Sequence, residues 1–265
     1  MLGTRAGRIL LRRANVLPRP ASSSRPFCAA AVKMSVTASD FAKSDEKLAA
    51  DADFKKVFDR YSHLASEDAL TKTVKALTEK KHSVKVCKTS KEAVEYLNQL
   101  IPDGSSVSNG GSTTLLQIGI FDALMARGDK INNLKGKATV AGAAGDTATY
   151  KKLSREGASA DFFLSSVSAI TQEGVFYAAD ASGTRISGWT AAGKLIIVAG
   201  TNKIVANDAE ADDRLFGYQY KLESARVRVA FKIPGSMINN RITIQGSYPM
   251  DPRVQVVLIE ESLGF

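Results

Sequence analysis

Apolar positions along the chain follow two rhythms, a helical repeat and a strict alternation, and the two take turns. Phe41, Leu48, Phe54, Val57, Phe58 and Tyr61 fall at roughly helical spacing. Ser66 followed by Glu67 and Asp68 supplies a second helix start, so residues 40–81 read as two helices. In HSVKVCK, Val84 and Val86 alternate with polar neighbours, which predicts a strand. Thr89–Glu92 (TSKE) has the capping-box sequence, and Ala93, Leu97 and Leu100 form the buried stripe of the helix it opens. Pro102-Asp103-Gly104 marks a turn. Ser105–Ser108 is short and β-like, and Asn109–Thr113 leads into a helix carrying Leu115, Leu116, Ile118, Ile120 and Leu124.

The second half repeats the alternation. Thr139–Ala141 predicts a short strand and Ala148–Arg155 a helix. DFFLSS (161–166) and VFYAA (175–179) read as strands. LIIVAG (195–200) has the strongest buried-strand signal, being continuous, branched and closed by a glycine. Asp208 can cap a helix reaching Glu223, and RITIQ and VQVVLIEE are two late strands. The sum predicts an α/β fold, a mostly parallel sheet flanked by helices, with an N-terminal helical extension over 40–81.

Charge divides the chain more sharply than hydropathy does. The first acidic residue is Asp40, and seven basic residues precede it, from Arg5 to Lys33. An arginine-rich, acid-free leader over 1–33, with GRILLRRANV able to form a cationic amphipathic helix, predicts an organelle transit peptide and a mitochondrial matrix protein. A basic nucleic-acid-binding arm is the alternative. Met34 offers an internal start and with it a cytosolic form. Seven of the net +9 charges sit in that leader, leaving +2 for the rest, so no nucleic-acid or membrane-surface partner is expected. Cys28 lies in the leader, and Cys87, His63 and His82 are too few for a metal or cluster site; no cofactor is expected.

Three segments could carry chemistry. In NGGSTT, Gly110 and Gly111 permit close backbone approach, and Ser112, Thr113 and Thr114 add hydroxyl donors beside a helix start. A tight turn with Ser112 as the helix cap explains the same residues equally well. In SAITQEGVFYAADASGTR, the carboxylates Glu173 and Asp180 each stand beside a glycine turn, and Arg185 follows; ordinary hairpin turns are the alternative. In GTNKIV, Asn202 and Lys203 follow the best strand, where open α/β sheets collect ligands; a solvated loop explains them equally well.

Together these segments resemble the LUD domain family, lactate-utilisation protein C-like, over roughly residues 66–265. SKEAVEYLNQLIPDGSSVSNGGSTTLLQIGIFDAL is similar to its helix, turn and glycine–serine loop, and ADFFLSSVSAITQEG to its strand and acidic turn. DASGTRISGW, IIVAGTNKIVAND and RVQVVLIEESLGF follow in the family's order. The resemblance implies a fold related to sugar-phosphate isomerases, CoA-transferases and folate cyclo-ligases. In bacteria it implies a role in oxidising L-lactate to pyruvate beside iron–sulfur partners. Two departures stand out: IPGSMINNRITIQG lacks the cysteine cluster of many members, and Thr184 replaces a frequent Asn.

The leading expectation is a small-anion site. Gly110, Gly111, Ser112, Thr113, Asn202 and Lys203 would hold a carboxylate or phosphate, with Arg185 as a second clamp. Glu173 would be the acid/base or nucleophile and Asp180 the orienting group. Two alternatives stay open. One is a non-catalytic accessory subunit of an iron–sulfur or flavin oxidoreductase complex. The other is an isomerase or ligase-type enzyme on phosphorylated or folate substrates.

Overall fold

The computed structural model describes residues 37–265, and the predicted leader lies outside them. Ten strands form two sheets: β1 (Ser83–Cys87), β2 (Ser106–Asn109), β3 (Asn132–Asn133), β4 (Phe162–Ser165), β5 (Ala169–Thr171), β6 (Phe176–Asp180), β7 (Lys194–Gly200), β8 (Ile204–Val205), β9 (Asn240–Ile244) and β10 (Val254–Ile259). The main sheet runs β1-β10-β7-β4-β2-β3, with every neighbouring pair parallel. The smaller one runs β8-β5-β6-β9 and is mixed, with β5 parallel to β8 and antiparallel to β6.

Twelve α-helices surround the sheets: α1 (Ala38–Ser44), α2 (Glu46–Ala49), α3 (Ala52–Tyr61), α4 (Glu67–Glu79), α5 (Ser90–Leu100), α6 (Thr113–Gln117), α7 (Ile120–Ala126), α8 (Leu134–Ala143), α9 (Thr147–Glu156), α10 (Thr184–Ala191), α11 (Asp208–Asp213) and α12 (Tyr220–Phe231). A π-helical turn, Arg214–Gln219, joins α11 to α12.

β7 shows why the buried strands read as unbroken apolar runs. Ile196 and Val198 enter a core with Leu97 of α5, Leu115 of α6 and Leu124 of α7. Leu195, Ile197 and Ala199 point the other way, into a core with Leu77 of α4 and Trp189 of α10. A strand covered on both faces needs apolar residues at every position. Each such side chain contributes about 1.5–3 kcal/mol by burial. A third core joins Phe41, Leu48, Phe54 and Tyr61 of the N-terminal helices to Tyr218, Leu222 and the terminal Phe265.

Several sequence expectations are corrected. Residues 40–81 hold four helices rather than two, because Asp45 and Asp51 each cap a new one by accepting from Leu48 N and Phe54 N. Thr139–Ala141 is helical, inside α8: Asn133 caps that helix, and Val140 is exposed, so this short β-branched stretch has no sheet face to fill. The helix expected from Asp208 is capped by Asn207 and continues through the π turn to Phe231. At Asp180 the chain does not form a hairpin but turns directly into α10. The TSKE cap is also not closed on itself. Thr89 Oγ1 accepts from Glu92 N, but the Glu92 carboxylate takes the Lys88 N–H.

In the main sheet β2, β4, β7 and β10 share one direction, and Asn109, Ser165, Gly200 and Ile259 stand at their carboxyl ends. That edge of an open parallel sheet is where ligands collect. No helix among the described residues is long and apolar enough to cross a membrane.

Candidate functional site

Lys203 closes the short 3-10 turn Thr201–Lys203 directly after β7. Gly200 permits the turn through space rather than through a special conformation: a Cβ there would run into Asn202 Oδ1 and the Glu261 carbonyl. Asn202 Oδ1 accepts from Leu263 N at 3.1 Å, pinning the terminal segment across the turn. Gly264, at φ +66°, then crosses so close that a Cβ would strike Thr114 Oγ1. The closing Leu-Gly-Phe thereby covers Lys203.

Beneath it Lys203 is 3 % exposed. Its Nζ donates to Thr114 Oγ1 at 2.9 Å, Ser166 Oγ at 3.1 Å and the Val167 carbonyl at 3.2 Å. Three donors thus meet three acceptors, none of them a carboxylate. Burial, with Arg214 and Arg185 as like-charged neighbours, holds the ammonium well below the usual lysine range.

Thr114 was among the hydroxyls read from the loop, whereas Ser166 is the partner that sequence reasoning passed over. Ser166 belongs to Ser165–Ser168, which links β4 to β5 and is buried throughout. The signal was present as three serines in SSVS after a buried strand.

The glycine–serine loop lies beside this group. Gly110 continues the β2 ladder by donating to the Leu164 carbonyl at 3.1 Å, and its α-carbon faces Ser165 Oγ and the Arg185 stem. Gly111 is exposed and accepts from Arg185 Nη2 at 2.8 Å. Ser112 Oγ accepts from Leu115 N, so its side chain serves as the helix cap, while Thr113 is half-buried at the start of α6. That helix is five residues long, too short to supply much of a dipole.

Arg185 sits in the first turn of α10 because Asp180 holds the backbone there. Asp180 Oδ1 accepts from Gly183 N at 2.6 Å; Oδ2 accepts from Arg185 N at 2.9 Å and Ile186 N at 3.2 Å. Asp180 is therefore a positioning residue. Arg185 is half-buried, and its Nε has no partner. Burial lowers its pKa against the opposing pull of Asp180 and Glu223.

Glu173 is not brought into this group. It is exposed on the turn between β5 and β6, and β5 separates it from Ser168 and the Lys203 turn. Gly174 presses that turn against the backbone of Ala76 and Leu77 in α4, which fixes the carboxylate on the outer surface.

A third cation was missed. Arg214, at the start of the π turn, is fully buried; its Nη1 donates to the Ser168 carbonyl and its Nε to the Asn202 carbonyl at 3.4 Å. In the run ADDRLF it looks like a solvated helix residue, and nothing local marks it otherwise. Among the described residues no carboxylate lies within ion-pair distance of Lys203, Arg185 or Arg214. Cations, hydroxyls and amide donors form a set that suits an anion rather than a metal ion.

Comparison with known proteins bears on the same region. The family model of the LUD domain matches residues 70–259. No curated protein matches. Among solved structures, a DUF162 family protein from Deinococcus radiodurans is 12 % identical, with 74 % of this chain and 99 % of that one covered and a TM-score of 0.46. The eIF2B delta of Chaetomium thermophilum is 16 % identical over 46 % of this chain and 52 % of its own, with a TM-score of 0.29.

Proposed function

The chain belongs to the LUD domain family, a family linked to lactate utilisation, and from that premise we propose that it binds a small carboxylate or phosphate at the strand ends around Lys203. The metabolite class would be lactate or a related hydroxy acid. The observation that carries this reading is the cluster of Lys203 and Arg185 with no carboxylate to neutralise it. Arg185 Nε is buried and has no partner, on a guanidinium whose Nη2 donates to exposed Gly111, so it is one donor left for a bound anion. Thr114 is the second: its oxygen accepts from Lys203 Nζ and Ser166 Oγ, but its hydroxyl hydrogen has only a long 3.4 Å bond to the Leu263 carbonyl and can be re-aimed. Lys203 supplies the charge behind it.

A thermal-shift panel of L-lactate, pyruvate, sugar phosphates, CoA esters and folates tests the reading. A ligand at about 100 times its Kd adds roughly 2.7 kcal/mol, or about 5–10 °C for a chain of this size. The shift should vanish in Lys203→Met and weaken in Arg185→Met. A flat panel with a well-folded protein, or a shift untouched by both substitutions, would sink the site and favour an accessory-subunit role. The leader supports placing the protein in the mitochondrial matrix, which a fluorescent fusion with and without residues 1–33 would check.

A further inference from the structure

We propose that Arg214, Asn202 and Ser168 enclose a second site, for one monovalent inorganic anion of the halide class. All three residues are at most 2 % exposed. Arg214 touches both others through one guanidinium, donating to the carbonyls of Ser168 and Asn202. Each of the three also carries a buried polar atom with no protein partner: Arg214 Nη2, Asn202 Nδ2 and Ser168 Oγ. Each can donate a hydrogen bond. Orphaned buried donors on residues already in contact call for a common acceptor.

Charge decides what that acceptor is. Burial pulls the Arg214 guanidinium down only to about 10, so it stays cationic at neutral pH, unlike a buried lysine that can shed its proton. A buried charge without a counter-charge is strongly disfavoured. The nearest acidic residue in sequence does not help: Asp213 gives its carboxylate to Tyr61 Oη at 2.6 Å and to Arg60 at 3.6 Å. On one face Arg214 has the Tyr218 ring, 5.1 Å to the centroid, which offers a quadrupole but no net charge. Water would satisfy the donors and leave the charge. A small anion answers both. Phe54, Phe58 and Tyr61 pack around that Tyr218 ring, so this face of Arg214 is apolar and close, which selects a compact ion over an organic one. The π turn that begins at Arg214 fits this role, since such turns recur at functional sites.

This site adjoins the metabolite site without sharing its cations: Asn202 belongs to the same turn as Lys203 and Arg214 is a like-charged neighbour of Lys203, whereas the metabolite reading rests on Lys203 and Arg185. The test titrates chloride against gluconate at constant ionic strength on the full chain, following unfolding by Trp189 fluorescence. A crystal grown in bromide accompanies it. The expected results are a saturable rise in Tm with chloride and an anomalous bromide peak within hydrogen-bond distance of Arg214 Nη2. Ser168→Ala should weaken half-saturation about tenfold, the loss of one charge-assisted hydrogen bond. No halide-specific rise, or bromide found only elsewhere as an adventitious ion, overturns the proposal. If Arg214→Met fails to fold, the bromide position in the native chain still decides.

Discussion

Lys203 Nζ and Thr114 Oγ1, 89 residues apart in sequence, meet at 2.9 Å in the interior of the protein. The contact joins the first turn of α6, just after β2, to the turn after β7, two strand ends that only the sheet brings together. Burial and the neighbouring arginines disfavour charge on Lys203, and a bound anion would favour it. Anion binding should therefore raise the pKa of Lys203, with proton uptake at any pH between its free and bound values. Calorimetry in buffers of different ionisation enthalpy checks this: the apparent enthalpy should vary with the buffer for native protein. An enthalpy independent of buffer would mean that Lys203 keeps one protonation state throughout.

Asp180 fastens the first turn of α10 through three backbone N–H groups, and Asn240 Nδ2 donates to it as well at 3.2 Å. Asp180→Ala should cost about 2 kcal/mol, the upper range for a lost helix cap. It should also weaken anion binding, because Arg185 loses its anchored backbone. Urea unfolding followed by Trp189 fluorescence measures the first effect and the thermal-shift panel the second.

The covering segment over Lys203 depends on a residue without a side chain. At Gly264 a left-handed backbone coincides with direct approach to Thr114 and Lys203. Gly264→Ala should destabilise the protein by about 1–3 kcal/mol. Its effect should be greatest on the terminal segment, so hydrogen exchange at Leu263 and Phe265 should rise before that of β10.

His82 gives a pH dependence with a definite sign. Its Nδ1 meets Ser247 Oγ at 2.9 Å, its ring packs on Phe176, and burial with Lys80 nearby pulls its pKa down to about 4. The unfolded chain binds a proton there near pH 6.5. His82 therefore stabilises fully above about pH 6.5 and loses that contribution as pH falls through 4. Between pH 7 and 4.5 the loss should be about 2–3 kcal/mol. His82→Gln should show less acid sensitivity than native protein over that range; an identical slope would refute the assignment.

Two carboxylates latch the N-terminal helices to α12, Asp51 through Lys221 Nζ at 2.6 Å and Asp45 through Arg228. Asp45 accepts from Arg228 Nε at 2.6 Å and Nη2 at 2.7 Å while capping α2 at Leu48 N. The Arg228 hydrogen bonds, ahead of the other causes, hold its pKa low. Asp45→Ala should remove about 2 kcal/mol of local stability. Amides over 38–61 should exchange faster, with those of β7 unchanged; uniform loss across the chain would show that these helices unfold with the core.

What the sequence determined by itself is what depends on neighbours in the chain. Alternation in HSVKVC, the unbroken LIIVAG run and the caps at Ser66 and Thr89 mark elements that local backbone and side-chain preferences select. The family motifs, too, are local strings, and they sufficed for the fold. Where a short stretch such as Thr139–Ala141 could serve either element, burial decided, and burial is not a local property.

The site belonged to the tertiary structure. Arg185 and Lys203 were legible because each follows a strand end in a recognisable motif. Arg214 was not, since a helix arginine is usually solvated, and Ser166 had only the serine-rich SSVS run to mark it. Nor could spacing show that Asp180 would orient a backbone while Glu173 faced outward from its turn. Folding removed water from Lys203 and Arg214 without giving either a carboxylate. That withdrawal of solvent, which no stretch of sequence contains, is what underlies the anion site proposed for these side chains.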